Sequence, residues 1–198
     1  MGIVEKISLV RRRFALARKI RDFPVLQIHF GCGKFADSRF LNVDSRVFDH
    51  VDYVTDSPFM PALPAKSAEL IYASHALEHV SHLNQINVLK RWHEILKPGG
   101  QLLLSVPDFE KVSGSYHRGE TGFKQTQAVL MGGQNYAGNF HYALFTSRHL
   151  TKILEIAGFC KIQDWHPRNL ESWPEDWSWH DGISLNLKAE KPQPAVLE

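Results

Sequence analysis

The sequence predicts an α/β domain built on a mostly parallel sheet, and three observations carry that reading. Seven short, continuous apolar runs recur along the chain, the texture of strands buried on both faces. Amphipathic stretches at helical spacing separate several of them. The 198 residues, 43% hydrophobic and 22% charged, suffice for one domain with its own core.

Taken in order, residues 3–21 read as a helix, because Ile3, Ile7, Val10, Phe14, Ala17 and Ile20 recur at three- and four-residue steps. Pro24 ends it. Val25–Phe30 is the first strand, closing at Gly31-Cys32-Gly33. Phe40–Val43 is the second, ending at Asp44; Val51–Val54 is the third, ending near Asp56; Glu69–Ser74 is the fourth. Residues 81–96 read as an amphipathic helix with Leu83, Ile86, Leu89, Ile95 and Leu96 apolar. Lys97-Pro98-Gly99-Gly100 is a turn into the fifth strand, Gln101–Val106. Six glycines within 109–140 point to short helices and a lid-like excursion. Thr146 caps a helix running to Ala157, which Gly158 stops. Phe159–Trp165 and Ile183–Lys188 are the last two strands, and Lys191–Glu198, with two prolines, is expected to fray. The expected organisation is a helical arm over 1–22, a ligand-binding domain over 23–190 and a tail over 191–198.

The net charge of +2 is a sum of unequal parts. Residues 1–22 hold seven basic and two acidic residues, hence +5, which leaves −3 on the remaining 176. That distribution argues against a nucleic-acid partner along the whole chain. The arm reads either as a helix docked by its apolar stripe or as a peripheral contact for an anionic lipid or phosphate-bearing partner. Two cysteines, Cys32 and Cys160, make no disulfide framework, and no run is long enough to span a membrane, so a cytoplasmic location is expected. Four of the five tryptophans, Trp165, Trp173, Trp177 and Trp179, fall between the last two strands. They read as a cover on the sheet, a homodimer surface, or a platform for sugar rings.

In parallel sheets ligands sit at the carboxyl ends of strands. The polar residues that close the runs therefore gather on one edge: Gly31 and Gly33, Asp44, Asp56, Ser74-His75 and Pro107-Asp108. Two glycines let backbone approach a ligand closely. Asp44 can accept from both hydroxyls of a ribose or can form a turn, and Asp56 can accept from an adenine amine or cap a turn.

The strings His29-Phe-Gly-Cys-Gly-Lys34, Leu41-Asn-Val-Asp44, Glu69-Leu-Ile-Tyr-Ala-Ser-His-Ala-Leu-Glu-His-Val80 and Leu96-Lys-Pro-Gly-Gly-Gln-Leu-Leu-Leu-Ser-Val-Pro-Asp108, in this order and spacing, resemble a class I S-adenosylmethionine-dependent methyltransferase. Within that fold they are similar to a small bacterial branch of the type 11 methyltransferases, associated with cell-surface polysaccharide genes. Gly132-Gly133-Gln134, Asn139-Phe-His141, Phe145-Thr146 and Ile183-Ser-Leu-Asn-Leu187 fit that branch too. The resemblance implies a Rossmann-like methyltransferase sandwich, a seven-strand sheet with its last strand antiparallel. It implies S-adenosylmethionine as cofactor, bound by Phe30, Gly31, Cys32, Gly33, Asp44, Asp56, Ser74, His75 and His79. The loop residues 31–33 would line the methionine part, Asp44 the ribose and Asp56 the adenine. Two departures stand out. Lys34-Phe35 follow Gly33 in place of a third glycine, and only eleven positions separate Gly33 from Asp44, so the first crossover helix is expected to be short or absent.

An oxygen or nitrogen acceptor that starts protonated needs a base. Asp108, His75, His79 and His141 are the candidates, with His141 and Asp108 expected as catalytic residues. Pro107, Gln134 and Tyr142 are expected to meet a small-molecule acceptor, a saccharide in keeping with the resemblance. A non-catalytic cofactor-binding module is the alternative. His75-Ala-Leu-Glu78-His79 also matches the H-x-x-E-H pattern of zinc hydrolases. That reading ranks last, and no metal is expected.

Overall fold

The computed structural model describes residues 15–169, 173 and 176–194. Helix α1 covers 15–22. Its Leu16 and Ile20, with Phe23 beyond it, pack into the main core, and Lys19 pairs with Asp52 at 3.2 Å. The described part of the arm is therefore docked by its apolar stripe. Residues 1–14, with Arg11, Arg12 and Arg13, lie outside the described residues.

Seven strands form one sheet: β1 Gln27–Phe30, β2 Leu41–Asp44, β3 Tyr53–Val54, β4 Ala68–Ser74, β5 Leu96–Pro107, β6 Cys160–Asp164 and β7 Ser184–Glu190. Their order is β3-β2-β1-β4-β5-β7-β6. All neighbours through β5 pair in parallel, and β7 runs antiparallel to both β5 and β6. The order reverses at β1 and β4, which places their carboxyl ends beside a crevice.

Strand β5 is longer than its apolar run. The expected turn at residues 97–100 is absorbed as an irregularity, with Gly99 at φ +78° and the register shifting opposite Ala68–Leu70. The tail helps to hold it. Gly99 N–H donates to Lys191 O at 2.9 Å, Lys191 N–H donates to Gly100 O at 2.9 Å, and Lys191 Nζ reaches the carbonyls of His93 and Leu96. Lys191 is thus anchored, because those backbone groups would otherwise be unpaired, while residues 195–198 of the expected tail lie outside the described residues.

One face of the sheet carries the helices. Trp92, Leu89 and Val88 of α2 (Gln85–Ile95) and Leu150 and Leu154 of α5 (Ser147–Ile156) bury against Ile28, Ile71, Leu102 and Leu104. Thr146 caps α5 as expected, accepting from His149 N–H at 3.2 Å, and Gly158 follows at φ +99°. Two further helices, α3 Phe109–His117 and α4 Phe123–Met131, occupy the region expected to make a lid-like excursion.

The other face is built differently. No helix lies between β1 and β2 or between β2 and β3. Alternation sends His29, Tyr72 and Leu103 to this side, where Phe40 joins them. Trp165 and Trp173 cover them. Trp173 sits edge-on to Phe40 at 5.6 Å and to Tyr72 at 4.8 Å, and Trp165 Nε1–H donates to Leu104 O at 3.0 Å. Asp176 locks the cover, accepting from Tyr72 OH at 2.5 Å and Ser74 Oγ at 3.0 Å. Of the readings for the tryptophan-rich segment, the sheet cover is the one Trp165 and Trp173 fill. The side chain of Trp177 lies outside the described residues. Among the described residues no helix is long and apolar enough to cross a membrane.

Candidate active site

The crevice begins at the end of β1. Gly31 and Gly33 hold φ of +69° and +59°, and both Gly31 N–H and Cys32 N–H donate to Val43 O. A Cβ on Gly31 would stand 2.6 Å from Ala76 Cβ, so only glycine keeps this turn against the β4 side. Gly33 N–H donates to Asp44 Oδ2 at 2.7 Å, and Asp44 Oδ1 accepts from Arg46 N–H at 2.8 Å and Arg46 Nε at 3.2 Å. The Arg46 guanidinium then lies over the rings of Phe48 and Tyr136, at 5.0 and 4.8 Å.

Two cavities meet at this loop and share Gly31, Arg46, His75, His79 and Tyr136. One, of about 460 Å³, holds Phe30, Asp44, Thr55, Asp56, Val80 and Ser81. The other, of about 510 Å³, holds Cys32, Gly33, Ser74, Glu78, Asn139 and His141.

The end of β4 supplies the floor. His75 takes φ +48°, places Nε2 2.9 Å from Ser184 Oγ, and points Nδ1 at Glu78 Oε1, 3.4 Å away. A single 3-10 turn, Leu77–His79, buries Glu78 completely and sets His79 Nδ1 2.9 Å from Phe140 O. His141 arrives from the segment after α4, its Nε2 3.9 Å from Glu78 Oε1.

A sequence profile described as "Methyltransferase domain" matches residues 10–164. The chain belongs to this methyltransferase family. A search among curated proteins found no significant match. Solved structures share its fold. A SAM-dependent methyltransferase from Archaeoglobus fulgidus superposes with a TM-score of 0.56 at 14% identity, over 91% of this chain and 94% of the other. The 1,6-didemethyltoxoflavin-N1-methyltransferase of Burkholderia thailandensis, bound to 1,6-didemethyltoxoflavin and S-adenosylhomocysteine, gives 0.56 at 16% identity, over 92% and 78%. Phosphoethanolamine N-methyltransferase 2 of Haemonchus contortus, in complex with S-adenosyl-L-methionine, gives 0.51 at 15% identity, over 92% and 53%.

The cofactor of this methyltransferase family is S-adenosylmethionine. The residues present fit that group. Gly31 puts bare backbone into the lining of both cavities, and Asp44, only 5% exposed, keeps its carboxylate at the carboxyl end of β2 beside the cavity that also holds Asp56. The missing crossover helix expected between Gly33 and Asp44 is indeed absent, and the direct Gly33–Asp44 hydrogen bond braces the loop in its place.

Environment sorts the titratable groups of the methyltransferase. Burial, reinforced by Asp44, pushes the Cys32 thiol up to about 12, so Cys32 is a wall and not a nucleophile. Burial holds His75 down to about 3, with His141 and His79 adding to the effect. Burial and then His79 hold His141 down to about 4, so it is neutral at pH 7 and a weak proton acceptor. Burial pushes Glu78 up to about 8.

The sequence-predicted residues fall into two groups. Phe30, Gly31, Cys32, Gly33, Asp44, Asp56, Ser74, His75, His79 and His141 all line one cavity or both. Asp108, Pro107 and Gln134 line neither. Asp108 is the N-cap of α3, accepting from Glu110 and Lys111 N–H at 3.0 and 3.3 Å, so its carboxylate is committed to the helix end. Pro107 is buried at the end of β5, opposite Ser184. Gln134 is exposed, its amide donating to Met131 O at 3.3 Å. Tyr142 lines the cavity of Asp44 and Asp56, not the one that holds His141. Sequence reasoning passed over Arg46 and Tyr136, and gave Asn139 no role beyond its place in a motif. Arg46 stands two residues beyond the acidic strand end, which was the signal available for it.

Proposed function

We propose that this methyltransferase places a methyl group on an oxygen or nitrogen of a small polar acceptor, a saccharide or a cell-surface polysaccharide precursor, in the cytoplasm. The observation that carries the reading is the pair of cavities meeting over the Gly31–Gly33 loop: one holds Asp44 and Asp56, the other is lined by histidines, Asn139 and Glu78. When bound, S-adenosylmethionine supplies a methyl carbon already activated by a sulfonium, so the protein mainly aligns and desolvates. Asp44 would accept from a ribose hydroxyl at Oδ2, which keeps a lone pair beyond the Gly33 N–H, while Arg46 N–H and Nε occupy Oδ1. Asp56 would meet the adenine. The acceptor would enter the larger cavity, where Ser74, Asn139 and the ring of Tyr136 offer the mixed polar and flat surface a sugar needs.

Calorimetry with S-adenosylmethionine and S-adenosylhomocysteine is the test, followed by a panel of nucleotide sugars and free saccharides with a radiolabelled methyl donor. Binding of both ligands with label on a saccharide is expected. Absence of binding to either overturns the reading, and binding with no label transferred favours the non-catalytic module.

A further inference from the structure

The cofactor reading takes up His75 and His79 of the H-x-x-E-H string but gives its buried Glu78 no role. The fold does not make of it the helical histidine pair of a zinc hydrolase. His75, at φ +48°, has its Nε2 taken by Ser184 Oγ and its Nδ1 facing Glu78, and residues 77–79 are a single 3-10 turn. What converges instead is Glu78, His79 and His141, each offering one ligand atom within 4.8 Å of the others.

The geometry points to a site for one divalent transition-metal ion, held by Glu78, His79 and His141 in the wall of the larger cavity, with an open position for an oxygen of the acceptor. The metal site stands on its own residues; the acceptor's role there rests on the methyl-transfer reading.

Four observations support it. Glu78 is fully buried; its Oε1 faces His75 Nδ1 at 3.4 Å and His141 Nε2 at 3.9 Å without making a hydrogen bond, and its Oε2 has no partner. Such groups are costly to bury unless something pairs with them, and a cation would do so. His79 Nδ1 faces the Phe140 carbonyl at 2.9 Å, and a carbonyl can only accept. The proton is therefore on Nδ1 and the lone pair on Nε2, which is how metal-binding histidines are held. Two imidazoles and a carboxylate suit Zn²⁺, Mn²⁺ or Fe²⁺ better than Mg²⁺ or Ca²⁺. Finally, Arg46, one of the two cationic residues that line the larger cavity with Lys34, is paired with Asp44 at 3.2 Å and not with Glu78.

The widest ligand pair must draw in by about 1 Å to reach metal bonds of about 2.0–2.2 Å. Three protein ligands leave a position open, the pattern of catalytic sites and not of structural ones. An acceptor hydroxyl there would stand beside the Gly31–Gly33 loop and release its proton to solvent more readily.

The test uses the full chain stripped with EDTA. Zn²⁺ is titrated by calorimetry and counted by mass spectrometry after desalting, and Co²⁺ is read by its visible absorption. One tightly bound Zn²⁺ per chain is expected, with inner-sphere Co²⁺ bands in the unmodified protein. Glu78→Gln and His141→Ala should each weaken Zn²⁺ binding at least tenfold, while His82→Ala, on an exposed residue, should not. The chain has 11 histidines, so less than one Zn²⁺ per chain, or equal binding in Glu78→Gln and His141→Ala, means surface histidines only and overturns the site. Absence of inner-sphere Co²⁺ bands overturns it as well, whether or not the variants fold. S-adenosylhomocysteine is titrated into the same metal-free protein. Its binding without a Zn²⁺ site removes this inference alone; a Zn²⁺ site without its binding removes the methyl-transfer reading alone.

Discussion

The backbone N–H of Gly33 donates to Asp44 Oδ2 at 2.7 Å, tying the loop after β1 directly to the acidic end of β2. A crossover helix would ordinarily fill the chain between such strands. Here ten residues of turn and coil do, and one hydrogen bond to a carboxylate holds the loop in place. Asp44→Ala should therefore weaken S-adenosylhomocysteine binding by about 1–3 kcal/mol, the cost of leaving buried hydroxyls and an N–H unpaired. Isothermal calorimetry reads it, and unchanged affinity removes Asp44 from the ribose role.

Asp108 offers the opposite expectation. As the N-cap of α3 it should matter to stability and not to chemistry. Asp108→Ala is expected to cost about 1 kcal/mol in denaturant unfolding and to leave kcat within a factor of two. A fall in kcat of a hundredfold with the fold intact would return Asp108 to the catalytic set.

The cover on the second sheet face depends on Asp176, which is 5% exposed and accepts from Tyr72, Ser74 and the Ser178 N–H. Asp176→Ala should destabilise the protein by about 1–3 kcal/mol by orphaning those donors. Tryptophan fluorescence is the natural probe, since Trp165 and Trp173 pack on Tyr72 beside it. A spectrum and a midpoint like those of the unmodified protein would show that the cover is held by other contacts.

Acid should loosen the same face. Burial between Phe40 and Tyr72 holds the His29 imidazole down to about 4, against the partial opposition of Asp176. The unfolded chain takes up this proton near pH 6.5 and the folded chain only near 4. Protonation therefore favours unfolding as pH falls through that window, and the penalty levels off below it. The share of His29 at pH 4 is about 3 kcal/mol by linkage. His29→Phe should flatten the loss of stability between pH 6.5 and 4 by that amount, measured as urea midpoints across pH. An unchanged slope would mean that His75 and His141 carry the acid sensitivity.

Most of the sheet is legible locally. A strand buried on both faces is rich in apolar residues, and the runs at Gln27–Phe30, Leu41–Asp44 and Ala68–Ser74 declare themselves within a few residues even though His29 and Asn42 interrupt them. Thr146 and Gly158 mark the ends of α5 for the same reason, since caps act within one turn. Gly31, Gly33 and Asp44 are legible because strand ends in such a sheet fall on one edge. The length of β5 is not, because pairing with Lys191, far along the chain, overrides a sequence that locally favours a turn.

What local pattern cannot carry is convergence across irregular chain. Gln134 and His141 lie in one coil segment with no period to tell which side chains face inward, and packing turned His141 to Glu78 and Gln134 to solvent. Asp108 looks the same in sequence whether it caps a helix or faces a ligand; the start of α3 takes its Oδ1, and Lys111 Nζ lies 3.9 Å from its Oδ2. The tryptophans carry three consistent readings until Trp173 is seen against Phe40 and Tyr72, on a face left bare by the absent crossover helix. Strand positions follow from local pattern, and the cofactor class follows from the resemblance of ordered motifs to a methyltransferase family; the strand order came with the tertiary structure. The floor of the site follows from contacts between segments far apart in the chain, and those exist only once the core has packed.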